Sequence, residues 1–183
     1  MKLHATPLQG LYLVETMPVE DRRGRFSRLF CEQDFTPIRP SLHFTQINLS
    51  ETTRKGTIRG MHYQTATAPE SKLIRCVRGQ VFDVAVDLRR DSPTFLHWHA
   101  QELGERSNRA VFIPEGFAHG FQALTDDVEL LYLHTAAWTP GAEAGLRYDD
   151  PRLAIEWPLP VAVISDRDLG YPLLDGNFAG AFS

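Results

Sequence analysis

Apolar and polar positions alternate with a period of two along much of the chain. The clearest run is 80–88, QVFDVAVDL. There Phe82, Val84 and Val86 point one way, and Val81, Asp83, Ala85 and Asp87 the other. Residues 128–135, VELLYLHT, are rich in strand formers. Segments 43–49, 57–63, 72–77, 95–102 and 109–113 are short, β-leaning and bounded by turn residues such as Gly79, Pro93, Gly104 and Pro114-Glu115-Gly116. Only the stretches near 31–36 and 150–155 suit short helices. Closely spaced strands without intervening helical periods predict an all-β antiparallel sandwich or barrel, whose mouth is a common ligand site.

Composition narrows this picture. The chain has 183 residues, a length that fits one domain over 1–183, with 43% hydrophobic and 23% charged residues, enough for a real core. The formal net charge of −4 argues against nucleic acid as a partner, because phosphate backbones call for a basic surface. It leaves room for a small anionic ligand held by a local cluster of Arg and Lys. Two cysteines, Cys31 and Cys76, give no disulfide framework and are expected to be reduced thiols. The N-terminus, MKLHATPLQG, lacks the apolar core of a signal peptide, and no stretch approaches the roughly 18 apolar residues of a membrane span. A cytoplasmic protein without a membrane partner is expected.

Two motifs carry candidate chemistry. The first is Lys55-Gly-Thr-Ile-Arg59-Gly-Met-His62-Tyr-Gln64. Strict alternation puts Arg59 and His62 on opposite faces of a strand. They share one cavity only if the strand bulges, and Gly60 is the obvious place. The second is Ile113-Pro-Glu-Gly-Phe-Ala-His119-Gly-Phe121, a P-x-G-x-x-H pattern found in cupin barrels, where the His is often a metal ligand. Such a site usually needs an upstream H-x-H, and this chain has His62-Tyr63-Gln64 there. His97-Trp98-His99 supplies an H-x-H elsewhere, so a metal-dependent cupin stays open as an alternative. Lys72, Tyr132 and the charged stretch Ile164-Ser-Asp-Arg-Asp168 are ordinary features taken singly.

Together, in order and spacing, these stretches resemble the dTDP-4-dehydrorhamnose 3,5-epimerase family. The match runs from Asp21-Arg-Arg-Gly-Arg-Phe26 to Asp168, through Gln46-Ile-Asn48, Gly56-Thr-Ile-Arg-Gly-Met-His62, Gly79-Gln-Val-Phe-Asp83 and Ser92-Pro-Thr-Phe95 to Asp149-Asp-Pro151 and Trp157-Pro158. The resemblance implies a cupin-type jelly roll, a homodimer with an exchanged N-terminal strand, a nucleotide-sugar substrate, and neither metal nor other cofactor. It implies His62 as general base with Asp168 as its carboxylate partner, Lys72 as stabiliser of an enolate and Tyr132 as general acid. Arg23, Arg59 and His119 would contact phosphate or sugar, with Gln46, Asn48, Glu143 and Arg167 as further ligand contacts and Asp83 in support. Arg28 stands where the family usually has an acidic residue near the nucleotide, and Ala137-Trp138 where it often has adjacent tyrosines. Trp138 is expected to stack on the base.

The implied reaction inverts C3, C5 or both in a nucleotide-linked 4-keto-6-deoxy sugar. A hydrogen beside the C4 ketone is acidic because its anion delocalises onto oxygen, and a base of near-neutral pKa suits its removal. A single-centre epimerase and a non-catalytic sugar-binding cupin are the remaining alternatives.

Overall fold

In the computed structural model, which describes residues 1–182, alternating segments pair into two antiparallel sheets packed face to face. The strands are β1 (Lys2–Ala5), β2 (Tyr12–Glu15), β3 (Val19–Asp21), β4 (Gly24–Phe26), β5 (Gln46–Thr52), β6 (Ile58–Gln64) and β7 (Lys72–Arg78). They continue with β8 (Gln80–Asp87), β9 (Trp98–Gly104), β10 (Arg109–Ile113), β11 (Phe117–Ala123), β12 (Val128–His134) and β13 (Glu143–Gly145). Two one-turn helices, α1 (Glu32–Phe35) and α2 (Asp166–Leu169), complete the set. One sheet has the order β1-β2-β10-β7-β12-β5 and the other β13-β6-β11-β8-β9, while β3 and β4 form a separate hairpin. This is the predicted all-β jelly roll. Among the described residues no helix is long and apolar enough to cross a membrane.

Both faces of β8 are buried, for different reasons. Val81 and Ala85 face the interior between the sheets with Ile74, Val111, Phe121 and Leu130. Val84 and Val86 face outward and are covered by the C-terminal segment through Leu153, Trp157 and Phe178. A second layer of Phe35, Leu42, Phe112 and Leu133 covers the outside of the six-stranded sheet. Each such large apolar side chain contributes roughly 1.5–3 kcal/mol on burial.

The C-terminal segment is fixed to the barrel by polar contacts. Gln122, fully buried, donates from Nε2 to Leu159 O (2.8 Å) and accepts from Leu159 N–H (3.0 Å). Ile58 N–H donates to Val163 O (2.9 Å), so residues 159–163 run alongside the start of β6. Ser165 then caps α2, its Oγ accepting from Asp168 N–H (3.1 Å). The result carries Asp168 beneath the middle of β6.

That middle is bulged at Gly60. Across β6 and β11, His62 pairs with His119 but Arg59 pairs with Phe121, so three positions on one strand match two on the other. The slip brings Arg59 and His62 to one face, as the sequence requires. Gly60 sits at φ +126°, and a Cβ there would lie 2.6 Å from Gly120 Cα. Only glycine fits both the conformation and the approach.

Three expectations need correction. Residues 150–155 form turns, not a helix. Asp150 accepts backbone N–H groups from Arg152 (2.8 Å) and Leu174 (2.6 Å), which favours a side-chain-held turn, and Ala154 leaves the helical region at φ +48°. The strand expected from residue 95 begins at Trp98, because 92–97 turns around Asp87, whose carboxylate accepts from Ser92 and Thr94. The strand expected from residue 43 begins at Gln46.

Gly60→Ala is expected to destabilise the protein by about 2 kcal/mol or more through steric overlap and positive-φ strain. Urea unfolding of the variant measures this, and a change within error would show that the bulge tolerates a side chain.

Candidate active site

The interior between the sheets is apolar at one end and polar at the other. The polar end opens as a cleft of about 570 Å³. One wall is the five-stranded sheet, with Arg59, His62, Gln64 and His119. The other is the six-stranded sheet, with Gln46, Asn48, Lys72, Tyr132 and His134. On β5 and β12 these are alternate residues, so period-two geometry alone aims them inward.

On the first wall, His62 Nε2–H donates to Asp168 Oδ1 (2.7 Å) while Gly60 N–H donates to Asp168 Oδ2 (3.0 Å). Asp168 is buried and His62 is partly exposed to the cleft. Burial pushes the Asp168 carboxyl up, but the hydrogen bonds from His62 and Gly60 outweigh it and hold the group below its ordinary value. An anionic partner on Nε2 leaves Nδ1 as the lone-pair nitrogen, the arrangement of an oriented general base. Beside it His119 Nε2–H donates to Asp83 Oδ2 (2.8 Å), a second imidazole held by a carboxylate and almost wholly buried.

On the facing wall stands Tyr132. Burial raises its phenol well above the ordinary range, the Asp83 charge adds to this, and Arg59 opposes it. The group is therefore a protonated donor at neutral pH. Lys72 Nζ lies 3.0 Å from Glu70 Oε1, and His134 Nδ1–H donates to Glu70 Oε2 (2.9 Å). Burial works to raise Glu70, but the hydrogen bond from His134 and the Lys72 charge bring it down to about 2. Glu70 is thus an anion beside a lysine cation.

Comparison with known proteins settles the family. A family model described as dTDP-4-dehydrorhamnose 3,5-epimerase matches residues 5–176. The chain belongs to the dTDP-4-dehydrorhamnose 3,5-epimerase family. It is 39% identical over 175 residues to the dTDP-4-dehydrorhamnose 3,5-epimerase of Methanothermobacter thermautotrophicus, covering 94% of each chain. It is 38% identical over 169 residues to the dTDP-4-dehydrorhamnose 3-epimerase of Streptomyces niveus, covering 92% of this chain and 81% of that one. Among solved structures, it superposes on the Legionella pneumophila dTDP-6-deoxy-D-glucose-3,5-epimerase in complex with dTDP-4-keto-L-rhamnose. The TM-score is 0.89 at 34% identity, covering 100% of this chain and 98% of that one. Members of the family are isomerases, and this chain is an enzyme of that class.

Within this epimerase fold most of the expected residues meet in the cleft. His62, Asp168, Lys72, Tyr132, Gln46, Asn48, Arg59, His119, Trp138, Glu143 and Arg167 all line it. At the rim, Arg59 donates to Thr52 Oγ1 (3.0 Å) and Glu51 O (2.8 Å), and Arg167 pairs with Glu143 (3.3 Å). Trp138, 56% exposed, donates its backbone N–H to Gln46 Oε1 (2.9 Å). Asp83 reaches the site through His119. Arg23 and Arg28 do not line this cleft. Arg23 is on the exposed β3–β4 hairpin paired with Asp21 (2.6 Å), and Arg28 is exposed just after it. His97 precedes β9, and His99 is separated from His119 by Ala85 on the strand between them. Among the described residues no three His, Cys, Asp or Glu side chains cluster as a metal site.

The cleft residues that escaped the sequence reading include Ser50, Gln64, Glu70 and His134. Ser50, Gln64 and His134 sit two positions from Asn48, His62 and Tyr132, so alternation alone could have found them. Glu70 precedes β7 in a stretch with no periodic signal. Its ionisation gives a pH prediction. A carboxylate depressed from 4.5 to about 2 stabilises the fold above pH 4.5, and that stability is lost as pH falls toward 2. Glu70→Gln should flatten the stability curve within that window, as read from urea midpoints. Curves that stay parallel to wild type would contradict it.

Proposed function

We propose that this chain, acting as one domain, inverts both C3 and C5 of a dTDP-linked 4-keto-6-deoxy sugar. The observation that carries the reading is the placement of a carboxylate-held imidazole on one wall of the cleft and a protonated tyrosine on the other. Inversion needs a proton to leave one face of a carbon and another to arrive at the opposite face.

The steps follow from the residues. His62 Nδ1 takes the proton from the carbon beside the ketone, and the C–H electron pair moves onto the C4 oxygen. Asp168 stabilises the imidazolium, as an anion on the far nitrogen does. Lys72 meets the enolate oxygen, where one such contact in a dry site is worth about 3–4 kcal/mol. Tyr132 returns a proton to the opposite face, the enolate collapses to the ketone, and both side chains re-equilibrate with water. Arg59 and Arg167 supply guanidinium groups for the diphosphate, and Gln46, Asn48, His119 and Glu143 hold the remaining polar groups. Trp138 offers a flat face to the base.

Assembly completes the proposal. A homodimer with an exchanged N-terminal segment would hide the exposed Val19 and Phe26 of the β3–β4 hairpin, and Ile47 and Leu49 on the edge strand β5. It would also give Arg23 and Arg28 a cleft to serve. Cys31 and Cys76 are both free, which suits a cytoplasmic setting. Sedimentation should return a dimer, and a monomer at micromolar concentration rejects this assembly.

The decisive chemistry is visible in deuterated water. Label should enter at C3 and C5 of the product, followed by NMR. His62→Ala should slow incorporation by roughly 100- to 10,000-fold while nucleotide still binds. Label at one carbon only would give a single-centre epimerase, and undiminished exchange in the variant would remove His62 as the base.

A further inference from the structure

The cleft contains a third carboxylate-held imidazole that the mechanism above leaves idle. His134 donates from Nδ1 to Glu70 Oε2 (2.9 Å), and its Nε2 lies 3.4 Å from the Asn48 amide nitrogen. Both ring nitrogens are thus engaged by protein, so the ring is poorly placed to carry protons for the substrate. What remains is its flat face, which lies against Tyr132 with ring centroids 5.9 Å apart and planes 14° apart. On another side Tyr132 and His119 meet in a T-shaped pair with ring centroids 6.0 Å apart, and His119 is itself fixed by Asp83 (2.8 Å). The candidate acid therefore stands between two imidazoles, each locked by its own carboxylate.

Packing alone does not call for this. The same inward face of β12 carries Leu130, fully buried in the apolar core, so the face changes from apolar to polar where it reaches the cleft. A mostly buried imidazole and a mostly buried carboxylate both lose hydration, an expense that polar networks offset only when each member finds partners. Glu70 meets that condition by giving its second oxygen to Lys72 (3.0 Å). One carboxylate thereby ties the lysine on β7 to the ring that backs the tyrosine on β12.

We propose that His134, locked by Glu70, is a positioning residue that fixes the angle of Tyr132 for proton return. The inference rests on the epimerase reading, in which His62 removes the proton and Tyr132 delivers one to the opposite face. It predicts a separation that a purely structural role would not give. Loss of the backing ring leaves abstraction by His62 intact and impairs only delivery from the far side.

The test follows two rates with the 4-keto sugar nucleotide in deuterated water: deuterium entry into recovered starting sugar, and formation of inverted product. His134→Ala should keep the first within about threefold of wild type and lower the second by roughly ten- to a hundredfold, the scale of a misplaced reacting group, with KM nearly unchanged. His134→Phe restores a flat ring and should recover most of the inversion. If the alanine variant does not fold, the phenylalanine variant decides alone: a wild-type ratio of inversion to exchange supports the proposal, and a collapsed ratio overturns it. Equal loss of both rates in His134→Ala, or no loss of inversion, also overturns it while leaving the epimerase reading standing. Absence of any exchange in the wild-type enzyme would instead remove that reading, and this inference with it.

Discussion

Asp168 holds the site together. One carboxylate oxygen accepts the N–H of Gly60, where the strand bulges, and the other accepts the imidazole N–H of His62, the proposed base that the bulge presents. The backbone irregularity and the tautomer of His62 are thereby fixed by a single buried anion. Everything that places Asp168 serves the same end: the Gln122 side chain on Leu159, the bridge from Ile58 to Val163, and the Ser165 cap. A buried carboxylate of this kind is tolerated because each oxygen has its own donor.

The rest of the cleft follows from the two-sheet frame. A jelly roll brings two inward faces together, and here one end of that space is filled with Ile74, Val81, Phe121 and Leu130 while the other is lined with polar groups. The proposed base, His62, belongs to one sheet and the protonated Tyr132 to the other. Opposite-face proton transfer thus needs no moving part, only two walls at a fixed spacing. The polar side chains are arranged around carboxylates: His62 on Asp168, His119 on Asp83, and Lys72 and His134 on Glu70. Polar groups this far buried are tolerated because each has a hydrogen-bonding partner.

Much of this was legible in the chain. The alternation in 80–88 and the run of strand formers in 128–135 gave β8 and β12, because both are local signals. The spacing of Arg59 and His62 around Gly60 implied a bulge before any coordinates. The family resemblance brought Lys72, Tyr132 and Asp168 into the same site, which spacing could not do across more than a hundred residues. Helix α2 was hidden because four residues are too few to show a helical period. The turn at 150–155 looked helical because nothing local reveals that Asp150 binds Leu174 from afar. Glu70 was invisible for the same reason. Its role appears only once β7 and β12 are neighbours.

The central claim is that Asp168 fixes His62 as a base with its lone pair on Nδ1. Long-range proton–nitrogen NMR of 15N-histidine-labelled enzyme reads ring tautomers directly. The account predicts that the neutral form of His62 carries its proton on Nε2, and that Asp168→Asn loses that single tautomer. A His62 protonated on Nδ1, or a tautomer unchanged in the variant, would contradict it.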